Sequence, residues 1–151
     1  ALGDIEIKSG NVKLAMSHVI PDLVQKILKG QDPLHLLGNG NQVRHFTYGG
    51  DLAEGIKLCI EKEQAINEDF NLSNSTPTKM IDLAEQIWKK INPDKKFNFI
   101  LEEPFPYDVQ YRSPDVKKAK KLLEFEAKTS LDYSLNEIIP WIDEQIKVGG
   151  I

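Results

Sequence analysis

Several residue types that carry common chemistries are scarce in this chain of 151 residues. Its only cysteine, Cys59, cannot form an internal disulfide, and no charged-then-apolar leader opens the chain, so we expect a reducing, cytoplasmic setting. No apolar run approaches the roughly 20 residues of a membrane span. With 19 Lys and Arg against 23 Asp and Glu, there is no basic excess to neutralise a nucleic-acid backbone. The composition therefore predicts neither a membrane protein nor a nucleic-acid binder.

The sequence also has no residue spacing typical of a metal site or of an activated nucleophile. His18, His35 and His45 have no metal-ligand spacing, either among themselves or with Cys59. No serine lies in a nucleophile-elbow pattern, and Cys59 falls on the apolar face of its predicted helix, where a cysteine usually packs in the core. We therefore predict no metal site and no catalytic residue in this chain.

Hydrophobic spacing predicts alternating helices and short strands. In chain order these are a helix from Met16 to Leu28, strands Pro33–Leu37 and Val43–Tyr48, a helix over 51–63 capped by Asp51, a strand Asp69–Ser73, a helix opened by Thr76 and Pro77, a strand Phe97–Leu101, a helix opened by Ser113 and Pro114, and a last helix from Leu131 to Ile146. Two strand–helix–strand units favour an α/β fold with a partly parallel sheet. The first two strands form either a hairpin or a bend between two sheets.

The glycine-rich turn Gly38-Asn39-Gly40 is the one candidate phosphate loop in the body of the chain. A phosphate loop needs a helix directly after its glycines, whereas here a predicted strand follows at Val43. The sequence therefore favours an ordinary turn at this position.

Arginine is rare, since Arg44 and Arg112 are the only two among the 19 basic residues. Arg44 lies inside a predicted strand, where a solvated cation is unusual, and Arg112 directly precedes a predicted helix start. A guanidinium on a rigid element suits bidentate phosphate binding, although a surface ion pair is the ordinary alternative. Asp108 and Tyr111 lie in the loop before that helix, where binding groups tend to collect.

Three segments together resemble one protein family. They are HVIPDLVQKILKGQDPLHLLGNGNQVRHFTYGGDLAEGI, DFNLSNSTPTKMIDLAEQI and YRSPDVKKAKKLLEFEAKTSLDYSLNEIIPWI. Between about Asn11 and Ile142 the chain resembles the C-terminal half of the extended short-chain dehydrogenase/reductases, the NAD-dependent epimerases and dehydratases of nucleotide sugars. The resemblance implies the last part of a Rossmann-like α/β fold, with a mostly helical substrate-binding subdomain.

The resemblance also implies a binding site for a nucleoside diphosphate sugar. The site residues that it implies are Val19, His35, Leu37, Arg44, Asp108 and Arg112. Val19, His35 and Leu37 would contact the base or the sugar, and Arg44 the diphosphate or the ribose. Asp108 and Arg112 would hold the ribose and the diphosphate from the other side, so that the sugar is positioned for hydride transfer.

Other features of the family are missing or altered. His45 stands where Asp is usual, Gly49-Gly50 replaces Val-Asp, and the arginine often found early in the last binding loop is replaced near Phe105. The chain has neither a Gly-x-x-Gly-x-x-Gly loop nor a Tyr-x-x-x-Lys pair, which the hydride chemistry of the family requires.

We therefore expect residues 1–151 to be a single partial domain that is inactive alone and binds no cofactor. NAD(P) would be bound in the complete enzyme by the N-terminal NAD-binding half, which would be the main partner, and a homo-oligomer is a further expected assembly. The alternative hypothesis is a catalytically inactive half-domain that acts as an oligomerisation or interaction module.

Overall fold

The computed structural model describes residues 18–104 and 106–149 and has a mixed α/β fold. The helices and strands, in chain order, are α1 (Val19–Leu28), β1 (Leu34–Leu37), β2 (Val43–Arg44), α2 (Gly49–Glu61), β3 (Thr78–Lys79), α3 (Met80–Ile91), β4 (Phe99–Glu102), α4 (Lys117–Leu123) and α5 (Leu131–Lys147). A short 3-10 helix, Glu63–Ala65, follows α2. The predicted α/β class is confirmed, and the predicted order holds except for the strand predicted over Asp69–Ser73, which is absent. The predicted helix start at Met16 and residue Phe105, near which the family arginine is replaced, lie outside the described residues.

The four strands form two separate two-stranded sheets. Strand β1 pairs in parallel with β4, so that Leu34 lies opposite Phe99, and β2 pairs antiparallel with β3. The chain turns from the first sheet to the second at Gly38 and Gly40, whose φ angles of +74° and +73° favour glycine. Of the two alternatives for the first two strands, the bend between two sheets is therefore correct and the hairpin is wrong.

The larger hydrophobic core lies between α1, β1, α3 and α5. Its buried residues are Leu23, Val24, Ile27, Leu34, Leu36, Leu83, Ala84, Ile87, Trp88, Leu135 and Ile142. The indole nitrogen of Trp88 is satisfied by donating to the carbonyl oxygen of Lys95 at 3.2 Å. Because α1 and β1 are both anchored in this core, their exposed edges are held at fixed positions.

A second, smaller core lies beneath α2 and α4. Ala119, Leu123, Phe125 and Ala127 are buried there, and Cys59 packs against them together with Leu58, Ala65, Phe70 and Leu72. The predicted apolar environment of Cys59 is thus confirmed. None of the helices in the described part of the chain combines the length and apolarity that a bilayer crossing requires.

The predicted capping role of Asp51 is wrong. Helix α2 begins two residues earlier, with Tyr48 as its N-cap residue. The Asp51 carboxylate instead accepts hydrogen bonds from the backbone nitrogen and the hydroxyl of Thr129, at 2.8 and 2.9 Å. A contact between residues that are 78 positions apart has replaced the local one.

Two predicted strands differ in the structure. The second strand, predicted over Val43–Tyr48, is limited to Val43–Arg44, where β3 pairs with it. Residues 69–73 have no ladder partner among the described residues and are not a strand, although their sequence favours one. The third strand is Thr78–Lys79 instead, because these residues meet β2.

Two helices begin later in the structure than the sequence predicts. Helix α3 begins at Met80 and not after Thr76 and Pro77, because its first backbone N–H groups bond to the turn before β2: Met80 N donates to the carbonyl oxygen of Gln42 at 3.0 Å. Helix α4 begins at Lys117, not at Ser113 and Pro114, since the Asp115 carboxylate accepts from Lys117 N at 2.9 Å.

Candidate functional site

Two adjoining clefts lie where the two sheets meet α1. The first cleft, with a volume of about 530 Å³, is lined by His18, Val19, Asp22, Leu23, Lys26, His35, Leu36, Leu37, Gln42, Arg44, Met80 and Asp108. The second cleft, of about 900 Å³, is lined by His18, Val19, Arg44, His45, Phe46, Phe70, Asn71, Leu72, Ser73, Arg112, Ser113, Pro114 and Asp115. They share His18, Val19 and Arg44. These residues therefore form the junction between the two clefts.

The first cleft combines an apolar wall with polar groups at its edges. Val19 comes from the start of α1, and Leu37 from the end of β1, where its side chain is 45% exposed. His35 lies two residues earlier on β1, and its Nδ1 is 2.6 Å from Oε1 of Glu102 on the paired strand β4. An apolar surface with a few fixed polar groups at its rim is typical of a small-molecule site.

Asp108 is held inside the first cleft by Arg44 and Gln42, and Nε2 of Gln110 makes a longer contact of 3.5 Å with its Oδ2. Its Oδ1 accepts from Nη2 of Arg44 at 3.3 Å, and its Oδ2 accepts from Nε2 of Gln42 at 2.8 Å. Only 17% of the Asp108 side chain is exposed, and 25% of the Arg44 side chain. The predicted alternative of an ion pair is thus present at Arg44, but the pair lines a cleft rather than the open surface.

Hydrogen bonds attach the loop that carries Asp108 to the backbone of Val43. Val43 N donates to the carbonyl oxygen of Gln110 at 2.8 Å, and Arg112 N donates to that of Val43 at 3.3 Å. Nη1 of Arg44 also donates to the Val43 carbonyl, at 2.9 Å. The loop that carries Asp108 and Arg112 is therefore attached directly to the strand that carries Arg44.

The second cleft continues from Arg44 towards Arg112 and His45. The His45 ring is fixed by a 3.0 Å contact between its Nδ1 and the carbonyl oxygen of Asn74. Its Nε2 is buried and has no hydrogen-bond partner in the described part of the chain. Arg112 is exposed and lines this cleft together with Ser113 and Pro114. This cleft has the polar donors that a hydroxyl-rich or anionic group requires.

A charged cluster anchors one wall of the second cleft. Lys118 of α4 lies 5.4 Å from the ring centre of Phe70 and pairs with Glu68 at 2.8 Å and Asp69 at 3.0 Å. These hydrogen bonds raise the pKa of Lys118 and, in turn, lower the pKa of Asp69. The charged forms of both groups are thus favoured, and they attach the wall to α4.

The structure brings the predicted site residues together. Five of the six, Val19, His35, Leu37, Arg44 and Asp108, line the first cleft, and the sixth, Arg112, lines the second. Tyr111, also considered in the binding loop, is 64% exposed and bridges to Val43 through its backbone. The structure adds polar groups that the sequence did not single out: Asp22, Lys26 and Gln42 line the first cleft, and Glu102 contacts His35 at its edge.

Nothing in the described ranges suggests a metal centre, because no group of three His, Cys, Asp or Glu side chains there is arranged to hold an ion. The clefts are instead lined by guanidinium, imidazole and amide groups beside apolar surface, together with Lys26 and the carboxylates of Asp22, Asp108 and Asp115. Such a lining suits an organic anion with an apolar or aromatic part.

Comparisons with known proteins find similar sequences and structures. A family model described as GDP-mannose 4,6 dehydratase matches residues 9–138. UDP-glucuronic acid decarboxylase 4 of Arabidopsis thaliana is 34% identical over 117 residues, which cover 78% of this chain and 25% of that enzyme. Both matches extend over most of the chain, and the range of the family model includes the lining residues of both clefts.

Two solved structures have a similar fold. UDP-glucose 4-epimerase of Thermotoga maritima, determined with UDP-glucose, superposes with a TM-score of 0.75 at 26% identity, over 85% of this chain and 40% of that one. The Bordetella bronchiseptica enzyme WbmF, determined with NADH, gives a TM-score of 0.69 at 27% identity, over 87% of this chain and 38% of that one. The chain thus spans well under half the length of the relatives that it matches.

Proposed function

Because the chain belongs to the GDP-mannose 4,6-dehydratase family of NAD-dependent nucleotide-sugar epimerases and dehydratases, we propose that it forms the nucleotide-sugar-binding portion of such an enzyme. In this proposal the nucleoside occupies the first cleft, the diphosphate lies at the junction beside Arg44, and the sugar extends into the second cleft.

The observation that carries the proposal is the position of Arg44 at the junction of the two clefts, beside Asp108. A diphosphate links a nucleoside to a sugar, so a site for the whole ligand needs a charged donor between two compartments. A guanidinium held by a carbonyl and a carboxylate is already oriented, which lowers the entropy lost on binding. Arg112 adds a second guanidinium to the lining of the second cleft.

The proposal assigns no NAD-binding role to this chain. The relatives WbmF and UDP-glucose 4-epimerase were determined with NADH and with UDP-glucose respectively. NAD would supply hydride transfer, and the residues that hold it would come from a separate NAD-binding half. This chain would then bind the nucleotide sugar and orient its sugar towards the NAD-binding half.

Calorimetric titration of the chain with a panel of ligands tests the proposal. The panel contains UDP-glucose, dTDP-glucose, GDP-mannose, UDP, uridine and glucose. We expect at least one nucleotide sugar to bind. If UDP-glucose is a ligand, UDP should bind as well, and uridine and glucose should bind more weakly because both lack the diphosphate. If no member of the panel binds, either to the chain alone or with its NAD-binding half supplied, the proposal fails and the interaction module replaces it.

A further inference from the structure

Gln42 is the one buried polar or charged side chain in the described part of the chain, with 4% of its surface exposed. Its Nε2 donates to the carbonyl oxygen of Leu37 at 3.1 Å and to Oδ2 of Asp108 at 2.8 Å. Its own backbone carbonyl accepts from Met80 N at 3.0 Å. One residue therefore joins the end of β1, the start of α3 and the loop that carries Asp108.

Gly38 provides the space that the Gln42 amide occupies. A Cβ atom at position 38 would lie 2.1 Å from Nε2 of Gln42, which is far inside the van der Waals distance. Gly38 also has a φ of +74°, so the backbone there favours glycine as well. The Gln42 amide can therefore occupy this position only because residue 38 has no side chain.

The Gln42 amide fixes one oxygen of a carboxylate whose other oxygen contacts an arginine. A rotation of the Asp108 carboxylate breaks its 2.8 Å bond to Gln42 or its 3.3 Å bond to Arg44, and the contact of Gln110 Nε2 with Oδ2 is longer, at 3.5 Å. The orientation of the Arg44 guanidinium depends on that carboxylate in turn. Gln42 thus acts on the first cleft through Asp108.

We propose that Gln42 is a positioning residue: it holds Asp108, and through it Arg44, in the orientation that binds the nucleotide, and Gly38 makes room for it. The identity of the ligand in this inference rests on the proposed function above.

The Gln42 side-chain amide is only partly satisfied by hydrogen bonds. The Gln42 Oε1 atom is buried and has no hydrogen-bond partner among the described residues, so the amide carries an uncompensated desolvation cost. A methionine of similar shape removes that cost while it also removes both donated bonds. Gln42→Met should therefore release the Asp108 carboxylate and lower stability moderately, because the Leu37 carbonyl oxygen and Asp108 Oδ2 lose their donor while the cost of the unpaired Oε1 is removed.

The first test is a double-mutant cycle with UDP as the ligand, or with whichever nucleoside diphosphate binds best. We expect Gln42→Met to raise the Kd about tenfold, and by less than about twofold in the Asp108→Ala background, because the effect of Gln42 acts through Asp108. A merely structural role would weaken binding equally in both backgrounds, and that result would overturn the inference.

The second test uses a matched pair of glycines. Gly38→Ala and Gly30→Ala both place an alanine at a positive φ, of +74° and +82°, but an added Cβ at position 30 meets no atom within 4 Å. Both variants should lose some thermal stability, whereas only Gly38→Ala should weaken nucleotide binding, by about as much as Gln42→Met. Equal binding by the two alanine variants would contradict the role of Gly38.

A ligand-free measurement separates this inference from the proposed function. In the nuclear magnetic resonance spectrum of the wild-type chain, both side-chain amide protons of Gln42 should exchange slowly with solvent. In Asp108→Ala, one of them should exchange rapidly. If no nucleotide binds, the proposed function fails while this comparison still decides whether Gln42 holds Asp108; rapid exchange of both protons in the wild-type chain refutes the contact itself.

Discussion

Replacing Arg44 with alanine should reduce nucleotide affinity much more than it reduces stability. The contact between Arg44 Nη2 and Asp108 Oδ1 is 3.3 Å long, and the two side chains are 25% and 17% exposed. Since solvent partly screens this pair, its loss should lower the free energy of unfolding by only about 1 kcal/mol. A charge-assisted hydrogen bond to a phosphate contributes roughly 1.5–3 kcal/mol, so its loss should raise the Kd about 10- to 150-fold.

The loss should be increased further because Arg44→Ala leaves the Asp108 carboxylate without its cation beside an anionic ligand. Titration calorimetry with UDP measures the affinity, and urea unfolding of the same samples measures the stability. Lys57→Ala is the matched control, since it removes one positive charge from a side chain on α2 that is 57% exposed.

Arg44→Lys should give an intermediate Kd, because it keeps the charge but loses the planar fork of donors. The reasoning is refuted if Arg44→Ala and Lys57→Ala weaken UDP binding equally, or if Arg44→Ala binds UDP as tightly as the wild-type chain.

Three further predictions concern stability. Leu83→Ala, at a fully buried core position, should lower the free energy of unfolding by about 2–5 kcal/mol in urea titrations, whereas Leu52→Ala at a 39% exposed site should cost under about 1 kcal/mol. Asp51→Ala should lower the thermal midpoint by removing both acceptors of Thr129, while Asp51→Asn should retain part of the effect. The hydroxyls of Tyr133 and Tyr48 donate to the Glu137 carboxylate at 2.6 and 2.7 Å and lower the pKa of Glu137 from its ordinary value of 4.5. The ionised form of Glu137 therefore stabilises the fold above that pH. The stability difference between the wild type and Glu137→Gln should be present near neutral pH and shrink as the pH falls below 4.5, and a difference that is constant with pH contradicts this assignment.

The order of helices and strands was predictable because it depends mainly on local spacing. Apolar residues at helical intervals in α1 and α3 face the larger core, as at Leu23 and Leu83. Such patterns require no knowledge of distant residues. The same holds for Ser130, whose hydroxyl oxygen accepts from Tyr133 N and starts α5 close to the predicted position.

The predictions failed where distant residues decide the local structure. Thr76 and Pro77 are good helix-start signals, but α3 begins later because Thr78 pairs with Arg44, 34 positions earlier in the chain, as part of β3. Asp51 has the residue type of an N-cap, yet Thr129 takes both of its oxygens. Neither contact can be recognised from the surrounding residues alone.

The candidate site was predictable in its charged residues but not in its supporting contacts. Arg44 and Asp108 were singled out by residue type and family resemblance, and they lie 3.3 Å apart in the first cleft. Gln42 carried no such signal, because its importance depends on the burial of its side chain and on its contact with Asp108, which lies 66 positions away in the chain. The role of each residue as a ligand contact stays a prediction.

The central claim is that the first cleft binds a nucleoside diphosphate, with Arg44 on the phosphates. Its most direct test is a nuclear magnetic resonance titration of the isotope-labelled chain with UDP and, in parallel, with uridine. We predict that UDP shifts the resonances of Val19, His35, Leu37 and the Arg44 guanidinium, with much smaller shifts for uridine and none at the exposed Trp141. Equal effects of UDP and uridine, or UDP shifts that leave Arg44 and the first cleft unchanged, would contradict the claim.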